Sequence, residues 1–249
     1  MASKGLTAPV KWLIRRCIGL WPAMEMWNKV RMGAAVPRLV AFENAEVERL
    51  SREIGGKPSA RIAIVVPTYR RPQQLVSALQ SILRQEVQDF VVIVVDDGAG
   101  LPADLPKDPR ITAVSLSRNS AVLGLVRNVG IRLTDSRYIA FLDDDNTWTP
   151  EHLTLTTAAL DEGADFVYTD LRRRTADGQE LDILSGDFDR RTFSDSSSVV
   201  DSNAIVLRRT RRAIFSRLPR VRATMPKEDW EFVWRQTRGA RVRHIPVAT

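Results

Sequence analysis

The chain has 249 residues, 44% of them hydrophobic, and a net charge of +7, which is room for one sizeable α/β domain plus an appendage. The single cysteine, Cys17, excludes an internal disulfide and a cysteine-rich zinc site and fits a reducing compartment, and with only His152 and His244 a multi-histidine metal site is excluded too. No apolar run approaches the roughly 20 residues needed to cross a bilayer, and Lys11, Arg15 and Arg16 interrupt the N-terminal apolar stretch in a way that argues against a signal peptide.

Charge is unevenly placed. Residues 1–40 carry seven basic side chains and one acidic, residues 207–249 carry twelve and three, and the middle is net acidic. An acidic centre between basic ends is not a uniformly basic nucleic-acid coat. It suits a metal-binding core beside surfaces that meet something anionic.

In chain order, residues 10–32 read as an amphipathic helix pair. Val10, Leu13, Ile14, Cys17, Ile18, Trp21 and Met24 share a stripe, and Pro22 kinks or restarts the helix. Tryptophans at 12, 21 and 27 beside basic residues fit an interfacial membrane helix, and the stripe fits packing on the main domain or on a partner subunit equally well. Residues 38–54 predict a second helix with Leu39, Val47, Leu50 and Ile54 inward, and Gly55 to Ser59 a linker. The expected division is a helical extension over 1–58 and a main domain over 59–249.

From residue 60 the pattern alternates between strand and helix. Ile62 to Val66 predicts a buried strand ended by Pro67-Thr68-Tyr69, and Pro72 opens a helix with Leu75, Leu79, Ile82 and Leu83 on one face. Phe90 to Val95 is a strand ending in Asp96-Asp97-Gly98, Ile111 to Ser115 a short strand, and Leu123 to Leu133 a helix. Tyr138 to Leu142 is a buried strand followed at once by Asp143, Asp144 and Asp145, with Thr149 and Pro150 as N-cap and first residue of the next helix. A strand follows at Asp165–Thr169. Such alternation predicts a mainly parallel sheet with helices on both faces, which binds ligands beyond the carboxyl ends of its strands. Three polar clusters fall at such ends. The three carboxylates repel one another unless a cation sits among them, and magnesium or manganese suits their oxygens; an acidic solvated turn is the alternative.

Farther on, Arg172-Arg173-Arg174 and Ser194–Ser198 read as loops, Val199 to Leu207 as a strand, and Arg208 to Arg222 as a segment with seven arginines. That segment is either a solvated face or a contact for an anionic acceptor. Lys227-Glu228-Asp229-Trp230 leads into a helix with Phe232 and Val233, and Val242 to Val247 is the last strand.

These segments, from residue 60 to 249, resemble the family 2 glycosyltransferases with the GT-A fold. The resemblance rests on Ile64-Val65-Val66-Pro67-Thr68-Tyr69-Arg70-Arg71, on Leu79 to Gln85, on Val94-Val95-Asp96-Asp97-Gly98, on Gly124 through Arg127-Asn128-Val129-Gly130-Ile131, on Phe141-Leu142-Asp143-Asp144-Asp145 as the DxD motif, and on Lys227-Glu228-Asp229-Trp230 as the late acidic motif. It implies a Rossmann-like α/β sheet, mixed but mainly parallel, with a nucleotide-binding half over 59–150 and an acceptor half over 151–249. It implies that Pro67 and Tyr69 line the base pocket, that Asp97 hydrogen-bonds the base, and that Arg127 lies near the nucleotide or its phosphates. Asp143 and Asp144 would sit near the ribose, Asp145 would ligate a manganese or magnesium ion, and Asp229 would be the general base. Tyr69 as a packed aromatic, Asp97 as a turn cap and Asp229 as a helix N-cap are the plain alternatives.

The resemblance also implies an inverting, metal-dependent transfer from a nucleotide sugar, a UDP-sugar foremost, to a hydroxyl of a glycan or lipid-linked acceptor, as in cell-surface polysaccharide or glycolipid synthesis. Gly98-Ala99-Gly100 and Arg70 depart from the family's usual residues, and no QxxRW segment is present, which argues against a processive synthase. The chain stops just beyond the last predicted strand, so a C-terminal lid or acceptor segment is not expected within it. A nucleotidylyltransferase is disfavoured because its glycine-rich loop is lacking after the first strand. Nucleic-acid binding is disfavoured because only Phe215 interleaves with the arginines. A degenerate transferase domain serving as a membrane-surface scaffold is opposed by the intact Asp145 and Asp229. The expected place of action is the cytoplasm at the inner membrane surface, with residues 10–32 serving either a bilayer or a homo-oligomer contact.

Overall fold

The computed structural model describes residues 17–175, 177–195, 200–221 and 223–249. Its sheet is built from β1 (Ile62–Thr68), β2 (Phe90–Asp96), β3 (Ile111–Ser115), β4 (Tyr138–Phe141), β5 (Phe166–Arg174), β6 (Glu180–Leu184), β7 (Ile205–Arg208) and β8 (Val242–Ala248). The order is β3-β2-β1-β4-β7-β5-β6, with β8 also on β5. β1, β2, β3 and β4 run parallel, β7 is antiparallel to β4 and β5, and β8 is parallel to β5. The mixed, mainly parallel α/β sheet expected from sequence is therefore present.

Every residue of β1 is buried, because helices cover both faces of the sheet. The period of two sorts its side chains. Ile62, Ile64 and Val66 pack with Leu75, Leu79 and Ile82 of α3 (Pro72–Leu83) and with Leu153 and Leu160 of α5 (His152–Asp161), counting α1 as Leu20–Met32, α2 as Val36–Ile54 and α4 as Leu123–Leu133. Val65 faces the other way, into a core with Val129 of α4, Leu50 of α2, and Trp230 and Phe232 of α7 (Glu228–Gln236), where α6 is the short helix Arg190–Phe193. α4 lies unusually close to the sheet at Gly130, where a Cβ would stand 2.6 Å from Val65 Cγ1.

The two N-terminal helices turn acids inward. Glu43 of α2 is fully buried and accepts from Arg217 at 2.6 Å through both nitrogens, from Arg132 at 2.9 Å and from Asn128 at 3.2 Å. Glu46 accepts from the Ser117 hydroxyl and amide and from Arg49. With Leu50 in the main core, the helical extension and the domain that follows share one interior. In α1 the inward residues are Glu25 and Asn28, whereas the sequence stripe placed Trp21 and Met24 inward and gave no role to the acid. Trp21 does pack, at 5.5 Å from Trp230, and Ile18 is exposed. Pro22 lies in the first turn of α1, which restarts at Leu20 after a break at Ile18 and Gly19, and there its missing amide hydrogen costs nothing and no kink follows. Val10, Leu13 and Ile14 lie outside the described residues.

Three other expectations are corrected. Arg172 to Arg174 continue β5 into a hairpin with β6, where Arg172 pairs with Glu180 at 2.7 Å and Arg173 with Asp182, so those two charges are matched in an exposed ladder. α5 begins at His152, two residues after Pro150, and Thr149 does not cap it. Of the strand expected over Val199 to Leu207, Val199 lies outside the described residues, Ser202–Ala204 form a short 3-10 turn, and β7 begins at Ile205.

The arginine-rich segment is in large part internal. Arg209 caps the end of α4 through the carbonyls of Ile131 at 2.8 Å and Ser136 at 2.6 Å, Arg217 grips Glu43, and Arg220 donates to Glu25 at 2.8 Å and to the Pro226 carbonyl at 2.7 Å. Arg211 and Arg212 remain exposed. Removing one partner of a buried ion pair costs about 3–5 kcal/mol. Glu43→Ala, which strands Arg217 and Arg132, is expected to lower unfolding free energy by that order in urea titrations, and a loss below about 1 kcal/mol would show that α2 is held by its apolar face alone.

Candidate active site

The carboxyl ends of β1, β2 and β4 lie side by side, since Thr68 is in register with Asp96 and Val65 with Phe141. Each delivers polar groups to one rim. After β4 the chain leaves the sheet and presents Asp143, Asp144 and Asp145 in succession, each in a different setting.

Asp143 faces Arg127. The Arg127 guanidinium donates to both oxygens of Asp143 at 2.7 and 3.0 Å through one terminal nitrogen, to Asp229 through the other, and to the Ser202 hydroxyl at 2.9 Å. Ser202 in turn reaches Asp229 at 3.3 Å, and Asn203 holds the Asp143 amide at 2.6 Å. Arg127 is 0% exposed while Asp143 is 23% and Asp229 26% exposed, so the cation is underneath and the carboxylates look outward. The guanidinium packs 4.9 Å from the Phe215 ring. The residue expected near the nucleotide has no exposed surface of its own and joins the two carboxylates from beneath the rim.

Burial pushes the Asp229 carboxyl up to about 7, with Glu228, Asp201 and Asp143 adding to the rise and Arg127 opposing it. One guanidinium between two carboxylates leaves the trio net negative, so a proton is held there more readily than by a solvated aspartate. Asp229 lies in the first turn of α7, where the helix dipole favours an acid, but it does not cap that helix: Lys227 occupies the N-cap position.

Asp144 is buried against β1. It accepts from the Thr68 hydroxyl at 2.7 Å, the Tyr69 amide at 3.4 Å and Arg71 at 3.1 Å, and burial raises its pKa against those hydrogen bonds. Asp145 is 44% exposed, shares the same Arg71 nitrogen and accepts from Asn146 at 3.1 Å. Arg71 thus supplies the cation for Asp144 and Asp145, as Arg127 does for Asp143. In the sequence Arg71 has no role beyond the turn after β1, and Ser202 and Asn203 are hidden inside a span that reads as strand.

Asp97 is buried and accepts from the amides of Ser120 at 2.7 Å and Ala121 at 3.1 Å, so it fixes the loop opposite; burial raises its pKa. Its neighbour Asp96 accepts from the amides of Ala99 at 2.9 Å and Gly100 at 2.7 Å, which closes the Gly98-Ala99-Gly100 turn without the usual polar side chains. Pro67 is buried in β1, and Tyr69 is exposed beside Arg70, 5.1 Å from its ring. Trp148 and Trp230 are buried, their indole nitrogens donating to the carbonyls of Asn203 and Phe193, which makes them walls. His152 is also structural: it stacks on Trp148 at 4.2 Å, and burial pulls its pKa down to about 3.

Among the described residues no three or more His, Cys, Asp or Glu side chains converge as a metal cage. A magnesium or manganese ion that keeps water and takes phosphate oxygens needs only one or two protein carboxylates. Asp145, exposed and single, fits that role.

Parallel strands ending in a rim of carboxylates, with one acid brought back from a late helix, define a GT-A transferase fold. The chain belongs to glycosyl transferase family 2, whose family model matches residues 63–213. It is 29% identical over 182 residues to the succinoglycan biosynthesis protein ExoW of Rhizobium meliloti, covering 70% of this chain and 53% of that protein. The chain therefore spans about half the length of that relative. The fold is similar to that of S. aureus TarS 1-349 in complex with UDP-GlcNAc, with a TM-score of 0.56 and 20% identity over 76% of this chain and 57% of that one. It is also similar to the mannosyltransferase PcManGT from Pyrobaculum calidifontis in complex with GDP-Man and Mn2+, with a TM-score of 0.54 and 16% identity over 88% and 66%.

Proposed function

We propose that this transferase is inverting and metal-dependent, moving a sugar from a UDP-sugar to a hydroxyl of a glycan or lipid-linked acceptor in cell-surface polysaccharide synthesis. The observation that carries the reading is the Arg127 bridge, which holds the Asp229 carboxylate beside Asp143 at the strand ends with its pKa pushed up to about 7. A base poised near neutral pH takes a proton well in its ionised form and releases it well afterwards. The acceptor oxygen forms a bond to the anomeric carbon, its proton passes to Asp229, and the bond from that carbon to the nucleoside diphosphate breaks with the electron pair leaving on phosphate oxygen.

In the same reading Pro67 and Tyr69 line the base, Asp97 keeps the loop at Ser120 and Ala121 in place around it, and Asp143 and Asp144 face the ribose. Asp145 holds the divalent ion, which when bound neutralises charge that develops on the diphosphate. Arg71 already spans Asp144 and Asp145, so it reaches the same diphosphate once a ligand enters. TarS with UDP-GlcNAc supports the choice of UDP, ExoW supports a polysaccharide pathway, and PcManGT with Mn2+ supports the ion. The place of action is the cytoplasmic membrane face, where a peripheral enzyme meets a lipid-linked or anionic acceptor.

A thermal-shift panel tests this: nucleoside diphosphates and nucleotide sugars, each with manganese or EDTA, on wild type and Asp145→Ala. UDP species are expected to raise Tm with manganese and not with EDTA, and not in the variant. No stabilisation by any nucleotide would overturn the transferase reading in favour of a scaffold that has lost its donor site.

A further inference from the structure

α1 is built inside out. Its buried residues are Glu25, paired with Arg220, and Asn28, whose amide donates to the Met225 carbonyl at 2.9 Å. Its outer face carries Met26 at 61%, Trp27 at 61% and Val30 at 77% exposure. Positions 26, 27 and 30 form one stripe on a helix, so these are neighbours rather than scattered surface residues. The two polar links fix α1 beside the segment that runs into α7, and that segment adds exposed Val221 and Met225. A helix that spends its polar residues on the protein and leaves tryptophan, methionine and valine exposed is not covered by any other described residue.

The rim of this patch is cationic. Lys29, Arg31 and Arg38 are exposed, and the one carboxylate between residues 17 and 42 is the buried, paired Glu25. No acid occurs between 220 and 227 either. A second copy of the chain would set these cations against their own images across a two-fold axis. An anionic bilayer supplies what both parts need: headgroup charge for the lysine and arginines, and an apolar boundary for the indole and aliphatic side chains. Helix α1 is also short and interrupted by polar residues, and no helix of the described residues is long and apolar enough to cross a membrane. It would lie on the surface.

We infer that the outer face of α1, together with Val221 and Met225, docks this protein on an anionic lipid surface. The docked elements lead directly to the catalytic helix: Met225 stands three residues before Glu228, where α7 begins, and Trp21 of α1 packs on Trp230, next to Asp229. Docking therefore sets the base end of α7 at the lipid side, which deepens the proposed function by assigning a lipid-borne acceptor to it.

The test is co-sedimentation of the full chain with vesicles of phosphatidylcholine alone and of phosphatidylcholine with phosphatidylserine. Binding is expected only to the anionic vesicles, weakening as salt rises. The variant Met26→Ser/Trp27→Ser/Val30→Ser changes only exposed side chains, so it is expected to keep the wild-type Tm and the nucleotide response while its lipid partition falls about tenfold or more. Lys29→Glu/Arg31→Glu is expected to remove the salt dependence. Absence of binding to anionic vesicles at low salt, or wild-type partition by the triple variant, overturns the inference. So does a dimer in sedimentation velocity that the triple variant abolishes while lipid binding is unchanged. No donor enters the vesicle assay, so lipid binding without any nucleotide response would sink the transferase reading and leave the docking surface standing.

Discussion

Asp229→Asn is expected to lower kcat by about 10²–10⁴-fold, the range over which a positioned general base contributes. Asparagine keeps the shape and still accepts from Arg127, so the fold and the donor response in thermal shift should persist. The loss should therefore sit in kcat, measured as nucleoside diphosphate release with the donor that stabilises the protein. Retention of more than about a tenth of wild-type turnover would remove Asp229 from the role of base.

The pH dependence has two parts of opposite sense. The base acts ionised, so kcat/KM should climb about tenfold per pH unit below the Asp229 pKa and level off above about 7. Stability runs the other way. The carboxyl titrates at about 7 when folded and near the ordinary value of 3.8 when unfolded, so between these the folded chain binds a proton that the unfolded chain has released. Stability falls as pH rises through that window. The penalty is absent below the unfolded pKa and complete above the folded one. Asp229→Asn should flatten this part of the Tm profile, and an unchanged profile would mean that the carboxyl is ionised throughout.

The strands and the rim were legible in the sequence for one physical reason. Strands buried on both faces must be continuous apolar runs, and a polar side chain that follows such a run is forced to the sheet's edge. Ile62 to Val66 with Thr68, and Phe90 to Val95 with Asp96, follow that logic. What was not legible was inward polarity. Glu43 and Glu25 look solvent-facing to any periodicity argument because their partners Arg217 and Arg220 lie 174 and 195 residues away. The same blindness made Arg208 to Arg222 look like a basic surface. The site repeats the lesson: carboxylates that follow apolar runs stand out in the sequence, whereas their pairing with Arg71 and Arg127 exists only once the chain is folded.

Arg127→Met is expected to be the most damaging single change. Methionine keeps the packing against Phe215 but leaves Asp143 and Asp229 facing each other without a shared cation, and breaking a buried pair in this way costs about 3–5 kcal/mol. Arg127 also holds the Asp229 pKa down against burial, so its loss should move the activity profile to higher pH as well as lower its plateau. Arg127→Lys separates the two effects. An ammonium supplies the charge but not two terminal nitrogens in a fixed fork, so stability should recover more than activity does. The double variant Arg127→Met/Asp143→Asn removes one of the opposed charges and should regain part of the lost stability in urea titrations while remaining inactive. If single and double variants unfold alike, Arg127 stabilises the fold by filling space under Phe215, and the carboxylates tolerate each other without it.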